Sequence, residues 1–286
     1  MSRRRLAVAT AAIAVALAAS ACSGSPKLRA GASDPPPSSW PLATTIPAGS
    51  PRPTAATTGV PAGVTLRAVD SVVADHVGQV IDGLDVAGSI EVKADDVTIK
   101  NTRVHGGPPV GIRIDGKARG TVIEDTEIAP DVANSDMDGI WADGDGFIGR
   151  RLHIHGVTDG IKASDDFLLE GSLVADLTHG PEDHSDAIQI QGGSHYLVVG
   201  NALSGTNASV MADSSLAPLD DLTVSGNWLD DGAWTLNIRG GDHGDPTGVV
   251  VTANTFGGTA QFGPGAIDGD HTSSDNVDSS GAPANP

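Results

Sequence analysis

Residues 222–232 read LTVSGNWLDDG, and residues 249–258 read VVVTANTFGG. Each stretch contains a short apolar strand, a turn with an asparagine, and a second short strand. Asn227 and Asn254 are 27 residues apart, and Asn201 lies 26 residues before Asn227. Strands that return at a nearly constant interval indicate a repeating β structure rather than one globular sheet.

The repeat extends over most of the chain as three columns of short strands. The first column has the form apolar-x-apolar, recurs every 21 to 28 residues, and begins at Ile90, Ile112, Ile140, Ile161, Ile188, Val210 and Leu236. The second begins at Val97, Val122, Phe147, Phe167, Tyr196, Leu222 and Val249. The third ends at Val86, Val104, Ile128, Ile154, Val174, Leu203, Leu229 and Phe256.

This pattern predicts an all-β fold, a single-stranded parallel β-helix of about 7–8 coils with three short strands per coil. Helical patterns between the strands are missing, and a propeller blade needs about 40 residues. Inward side chains would stack on the same position of the next coil, about 4.8 Å away. The asparagines would hydrogen-bond along the rod, which is a structural role.

Several coils resemble those of a known family. DDVTIKNTRVHG (95–106), LLEGSLVADL (168–177) and the two opening stretches resemble right-handed parallel β-helix proteins of the pectin-lyase-like superfamily. The resemblance covers about residues 66–268 and implies a polysaccharide lyase, glycoside hydrolase, epimerase, esterase or non-catalytic surface protein. The polygalacturonase Gly-His-Gly and the pectate lyase Trp-Ile-Asp-His are missing, so no activity carries over residue by residue.

The N-terminus resembles a bacterial lipoprotein signal. Three arginines precede the apolar run Leu6–Ala19, and ASAC ends at Cys22, the only cysteine. We expect a signal peptide over 1–21, lipidation of Cys22 and a disordered Pro/Ser/Ala-rich tether over 22–63. Cleavage at Ala-Ser-Ala by an ordinary signal peptidase is the alternative. The β-helix domain would span 64–269, followed by a disordered tail over 270–286.

The charge restricts the partners. The chain of 286 residues has 17 Lys and Arg against 36 Asp and Glu, a formal net charge of −19. A surface of this sign repels nucleic acid and anionic membranes, so we expect no nucleic-acid partner and contact with a membrane only through the lipid anchor. We also expect a monomer. An acidic polysaccharide would also be repelled, unless a basic patch or Ca²⁺ intervenes. The acidity could instead serve solubility alone.

The outer face of the first column predicts a carbohydrate groove. Its polar and aromatic side chains lie on adjacent coils, beneath the long loops 129–139 and 175–187, and long loops on one side of a solenoid commonly form binding walls. The expected substrate-binding residues are Trp141, Gln189, Gln191, Asn237, Arg239 and His155. Simple solvation of a polar strand face is the alternative.

Three aspartates form the candidate catalytic column. Asp138, Asp159 and Asp186 precede successive first-column strands, about one coil apart. Carboxylates this close repel each other, so either one is protonated or a cation such as Ca²⁺ binds among them. In a hydrolase they would supply the acid and its ionised partner. The aspartates could instead only cap turns.

A lyase or epimerase would need a base and a neutraliser for the uronate carboxylate. Lys162, His184 and His155 are the candidate bases, and Arg239, Lys162 or Ca²⁺ the candidate neutralisers. His179 and His184 are five residues apart and lack a standard ligand spacing, so we predict no metal site there.

The sequence therefore predicts a secreted, surface-anchored β-helix protein that binds and cleaves a polysaccharide, as a lyase or glycoside hydrolase. The alternative is a non-catalytic carbohydrate-binding or adhesin-like surface module. An epimerase or an esterase is a third possibility, although the Gly-x-Ser-x-Gly elbow of many esterases is missing.

Overall fold

The computed structural model describes residues 51–106, 108–132, 136–178 and 184–286, and these residues form an all-β parallel solenoid. The predicted fold class, a parallel β-helix with three strands per coil, is confirmed. The predicted signal peptide, Cys22 and the first part of the tether lie outside the described residues. Within the described ranges, no helix is long and apolar enough to cross a membrane.

Three parallel sheets form the faces of the solenoid, and strands are numbered along the chain. The first sheet contains β2 (Val72–Ala74), β5 (Ile90–Val92), β8 (Val110–Ile114), β11 (Asp138–Ala142), β14 (Ile161–Ala163), β17 (Asp186–Ile190), β20 (Ala208–Asp213), β23 (Trp234–Arg239) and β26 (Gly263–Ile267). The second contains β3 (Val80–Asp82), β6 (Thr98–Lys100), β9 (Val122–Glu124), β12 (Ile148–Arg150), β15 (Phe167–Glu170), β18 (Gly193–Val199), β21 (Leu219–Ser225), β24 (Val249–Thr252) and β27 (His271–Ser274). The third contains β1 (Arg67–Val69), β4 (Leu84–Val86), β7 (Arg103–Val104), β10 (Glu127–Ile128), β13 (His153–Ile154), β16 (Leu173–Val174), β19 (Ala202–Ser204), β22 (Trp228–Asp230), β25 (Thr255–Phe256) and β28 (Val277–Asp278).

The core is a set of stacked aliphatic side chains. In the first sheet, the seven positions that begin the apolar-x-apolar triplets are all fully buried and pair directly with one another between Ile90 and Leu236. Phe147 and Phe167 stack in the same way, with ring centres 5.4 Å apart. Burying an aliphatic side chain of this size contributes about 1.5–3 kcal/mol, so repetition of the pattern stabilises each added coil.

The predicted asparagine ladder is confirmed and is longer than the sequence indicates. Asn201 Nδ2 donates to Asn227 Oδ1 at 3.0 Å, and Asn227 Nδ2 donates to Asn254 Oδ1 at 3.0 Å. Asn254 continues the series to Asn276 at 3.0 Å. Asn101, one residue out of step, bonds instead to Asp82. Because the ladder amides also donate to backbone carbonyls, the third turn of each late coil has its polar groups satisfied.

The tail expected to be disordered is ordered in the structure. Strands β27 and β28 lie within residues 270–286 and pair in parallel with β24 and β25. The four residues of β27 are all exposed and polar, so they show no apolar alternation. Backbone pairing with the preceding coil and the hydrogen bonds of Asn276 hold this segment. Neither interaction can be recognised from the polar composition that led to the prediction of disorder.

The described end of the tether also packs against the solenoid. Pro53 and Thr58 are buried, and the Gly59 N–H donates to the Arg151 carbonyl at 2.8 Å. Gly59 has a left-handed φ of 72°, and a Cβ there would lie 3.0 Å from the Cβ of His153. The structure thus places residues 53–59 against the third sheet, within the segment for which the sequence predicts a disordered tether. Glycine at position 59 lets the backbone approach the third sheet closely.

Candidate functional site

The outward side chains of the first sheet form one continuous row. Strand pairing aligns Glu91, Arg113, Trp141, Lys162, Gln189, Met211 and Asn237 on successive strands. Each of them is half-buried, while the residues on either side of it in the strand are buried. The alternation expected for a β-strand therefore places these side chains on one accessible surface, which we call the outer row.

Trp141 lies between two cations of the outer row. The Arg113 guanidinium carbon is 4.6 Å from the indole ring centre, and Lys162 Nζ is 5.3 Å from it. Arg113 also donates a hydrogen bond to Asp143. Cation–π contacts of this kind stabilise a partly exposed ring by about 0.5–1 kcal/mol. The indole is thus already engaged by adjacent rungs, which fixes its position in the row.

Three amide side chains lie at the first sheet: Gln189 and Gln191 at β17, next to the strand of Lys162, and Asn237 on β23, three strands from Lys162. The side chains of Gln189, Gln191 and Asn237 make no hydrogen bond within the part of the chain that the structure describes. All three are half-buried, so their side chains are held near the sheet rather than fully extended into solvent. A carboxamide offers two donors and one acceptor carbonyl, which suits hydroxyl groups of a ligand.

The three aspartates form a hydrogen-bonded column where the strands of the first sheet begin: Asp138 and Asp186 are the first residues of β11 and β17, and Asp159 precedes β14. Asp138 Oδ1 accepts the backbone N–H of Asp159 at 3.3 Å, and Asp159 Oδ1 accepts the backbone N–H of Asp186 at 2.9 Å. Asp186 Oδ1 in turn accepts from Asn207 Nδ2 at 2.8 Å. One oxygen of each carboxylate therefore has a structural bond, as the turn-capping alternative requires.

The remaining oxygens of two of these aspartates bind Lys162. Lys162 Nζ lies 2.7 Å from Asp138 Oδ2 and 3.1 Å from Asp159 Oδ2. The three side chains are only 10% to 16% exposed. The repulsion expected among the carboxylates is therefore balanced partly by a cation of the chain itself, and this ammonium serves two carboxylates.

Burial and the charge of Asp159 raise the pKa of Asp186 to about 7, against the hydrogen bond from Asn207. Asp186 is 1% exposed. Burial also raises the pKa of Asp138, which shares its single cation with Asp159. Burial lowers the pKa of Lys162, but Asp138 and Asp159 outweigh it and raise that pKa overall. At neutral pH Lys162 is therefore protonated, and Asp186 is divided between acid and carboxylate.

The structure does not bring all predicted site residues together. His184 is exposed, and its charge acts on Asp186 without a hydrogen bond between them. Arg239 lies three strands from Lys162 and contacts Asp268 at 3.3 Å. His155 follows β13 in the third sheet and bonds to Glu127 instead of joining the aspartate column.

Sequence reasoning missed Asn207, which is the direct partner of the Asp186 carboxylate. It stands in the turn before β20, one position ahead of the residue that pairs with Asp186. An asparagine in a turn is common for local reasons, so the sequence offers no signal that distinguishes it.

Comparison with models of known protein families finds no match to the chain. Comparison with curated protein sequences also finds no match. The functional proposal therefore rests on the fold and on the geometry of the outer row and the aspartate column.

Proposed function

We propose that this protein is a secreted, surface-anchored β-helix protein that binds a polysaccharide along the outer row and cleaves it at the aspartate column. The observation that carries the proposal is a set of amides that make no hydrogen bond within the described residues. Gln189 and Gln191 lie beside the Lys162–Asp138–Asp159 cluster, and Asn237 continues the outer row three strands from Lys162. Polar side chains spread along several strands of one face suit a linear ligand that presents hydroxyl groups along its length.

The charges favour a neutral polysaccharide over a polyuronate. Lys162 is shared by Asp138 and Asp159, so one cation of the chain faces two carboxyl groups, with the carboxyl group of Asp186 on the next strand. The chain as a whole carries −19. A uronate carboxylate would be repelled unless Ca²⁺ bound beside it.

The protonation states favour a glycoside hydrolase over a lyase. A lyase needs a base, and the raised pKa of Lys162 keeps its ammonium protonated, while His155 lies in the third sheet, bonded to Glu127; His184 is the one remaining candidate base among the three. A hydrolase needs a protonated acid beside an ionised carboxylate. Asp186, with a pKa of about 7, and Asp159 on the adjacent rung suit these two roles.

Burial of Asp186 favours a second candidate, a non-catalytic carbohydrate-binding or adhesin-like module. At 1% exposed, its carboxyl group is not reached by a ligand unless the covering residues move. Under this alternative the column only holds three strands in register, and the outer row alone contacts the sugar.

We further propose membership of a superfamily and attachment to the membrane by a lipid. The coils resemble the pectin-lyase-like superfamily, whose members include glycoside hydrolases, and the N-terminus resembles a lipoprotein signal that ends at Cys22. A lipid on Cys22 would hold the solenoid at the cell surface, where polysaccharides occur. We expect the anchored protein to act as a monomer.

The test is a screen of the purified protein against neutral and uronate-containing polysaccharides. Affinity electrophoresis reports binding, reducing ends report cleavage, and ultraviolet absorbance of an unsaturated product reports a lyase. We expect binding and reducing ends with a neutral polymer. Unsaturated product would show a lyase, binding without cleavage would support the module, and no binding would contradict both.

Matched variants separate the roles. Asp186→Asn should abolish the release of reducing ends but retain binding, and Gln189→Ala should weaken binding. Glu170→Gln is the control, since Glu170 is a half-buried carboxylate on the second sheet that pairs with Arg150 at 3.3 Å. Equal activity of Asp186→Asn and the control would remove Asp186 from the mechanism.

A further inference from the structure

Two histidines and a glutamate converge on the outer face of the third sheet. His153 and His155 are two residues apart at β13, so strand alternation directs them to the same face. Glu127 of β10 is the direct register partner of His153. One nitrogen of each histidine and one Glu127 oxygen all lie within 4.8 Å of one another.

The three side chains are in close contact. His155 Nε2 lies 3.1 Å from Glu127 Oε1, and the two imidazole rings have centres 4.2 Å apart with 31° between their planes. His155 is 32% exposed and Glu127 28%, so an ion from solvent can reach them. The tether segment covers one side, where the Gly59 backbone lies against His153 and Glu127.

We propose that Glu127, His153 and His155 form a site for one divalent transition-metal ion of the zinc class. Two imidazoles and one carboxylate are a donor set that Zn²⁺ and similar ions bind, with bonds of about 2.0–2.2 Å. Bonds of this length bring tetrahedral ligand atoms to about 3.3 Å apart. Side-chain rotations have to supply that contraction, and water completes the coordination.

The surrounding charges moderate the affinity. Arg103 Nε lies 3.7 Å from Glu127 Oε2 and repels a cation, while the Arg103 guanidinium is also 3.8 Å from Asp131. Asp176 raises the pKa of His153 through its charge, so it also attracts a cation there. The ion therefore replaces the His155–Glu127 hydrogen bond in a neighbourhood of mixed charge.

The experiment is titration of the chelator-treated protein with Zn²⁺ by calorimetry, followed by Co²⁺ binding read from its visible spectrum. We expect one ion per chain and the intense absorption bands of low-coordinate Co²⁺. His153→Ala, His155→Ala and Glu127→Gln should each weaken Zn²⁺ binding by at least about tenfold.

His195→Ala is the matched control and should bind like the wild type. His195 is 31% exposed and lies 2.9 Å from Asp166 on the second sheet, so it is a similar histidine–carboxylate pair elsewhere. Binding that fails to saturate at one ion per chain, or equal affinities in the ligand variants and the wild type, would overturn the proposal. If a histidine variant fails to fold, two measurements still test the site. Glu127→Gln keeps the shape of the side chain while removing its charge, and the Co²⁺ spectrum is recorded on the wild type.

Discussion

Replacing Asp186 by asparagine tests the electrostatics of the aspartate column. Asparagine retains an oxygen that can accept the Asn207 hydrogen bond of 2.8 Å but cannot ionise. In the wild type the folded pKa of Asp186, about 7, lies above the ordinary value of about 3.9. The folded state therefore binds this proton more tightly than the unfolded chain does.

The contribution of Asp186 to the free energy of unfolding decreases as the pH rises. The stabilisation from the protonated carboxyl is complete below the unfolded pKa and is lost as the pH rises through about 7. At about 1.4 kcal/mol per pKa unit, the total loss is about 4 kcal/mol at most. About half of it, ~2 kcal/mol, falls between about pH 5.5 and about pH 8.5.

The assay is urea unfolding of wild type and Asp186→Asn at both pH values. We expect the free energy of unfolding of the variant, relative to the wild type, to rise by about 2 kcal/mol from the lower to the higher pH. Asn207→Ala, which removes an interaction that lowers this pKa, should shift the wild-type transition to higher pH. A difference between variant and wild type that does not change with pH would refute the reasoning.

Four further outcomes are expected. Asn227→Ala should lower the free energy of unfolding by about 1–3 kcal/mol, measured in urea, because it leaves buried ladder partners unpaired. Ile188→Ala should cost about 2–5 kcal/mol in the same assay, since Ile188 is fully buried between coils. Trp141→Ala should weaken polysaccharide binding in affinity electrophoresis, because Arg113 and Lys162 lose the ring that they contact. Cys22→Ser should release the protein from membranes on fractionation; retention would contradict the lipid anchor.

The repeating part of the fold could be predicted because each coil has the same local rule. Ile112, Ile140 and Ile161 occupy one inward position, and the alternation of a strand decides which neighbours face outward. The terminal rungs could not be predicted in this way. All side chains of strand β27 are exposed, so burial of apolar side chains does not hold it in place. Backbone pairing with the preceding strand β24 does.

The candidate site was predictable only in part. The register placed Lys162 beside Gln189 and the three aspartates on successive rungs, as the columns indicate. The choice of partners was not predictable, because Lys162 could have been a base, a neutraliser or a free surface cation. Its two contacts with Asp138 and Asp159, and the burial that excludes water from them, decide its charge state.

The sequence by itself determined the repeating part of the solenoid, its three strand columns and the direction of the side chains within them, because stacking of identical positions repeats a short-range pattern. Only the tertiary structure decided that His155 joins Glu127 and His153, that Asn207 meets Asp186, and that the tether packs over the third sheet. These contacts depend on where turns and terminal segments bring side chains from different coils. The spacing of residues along the sequence does not reveal how far apart these side chains lie in the folded protein.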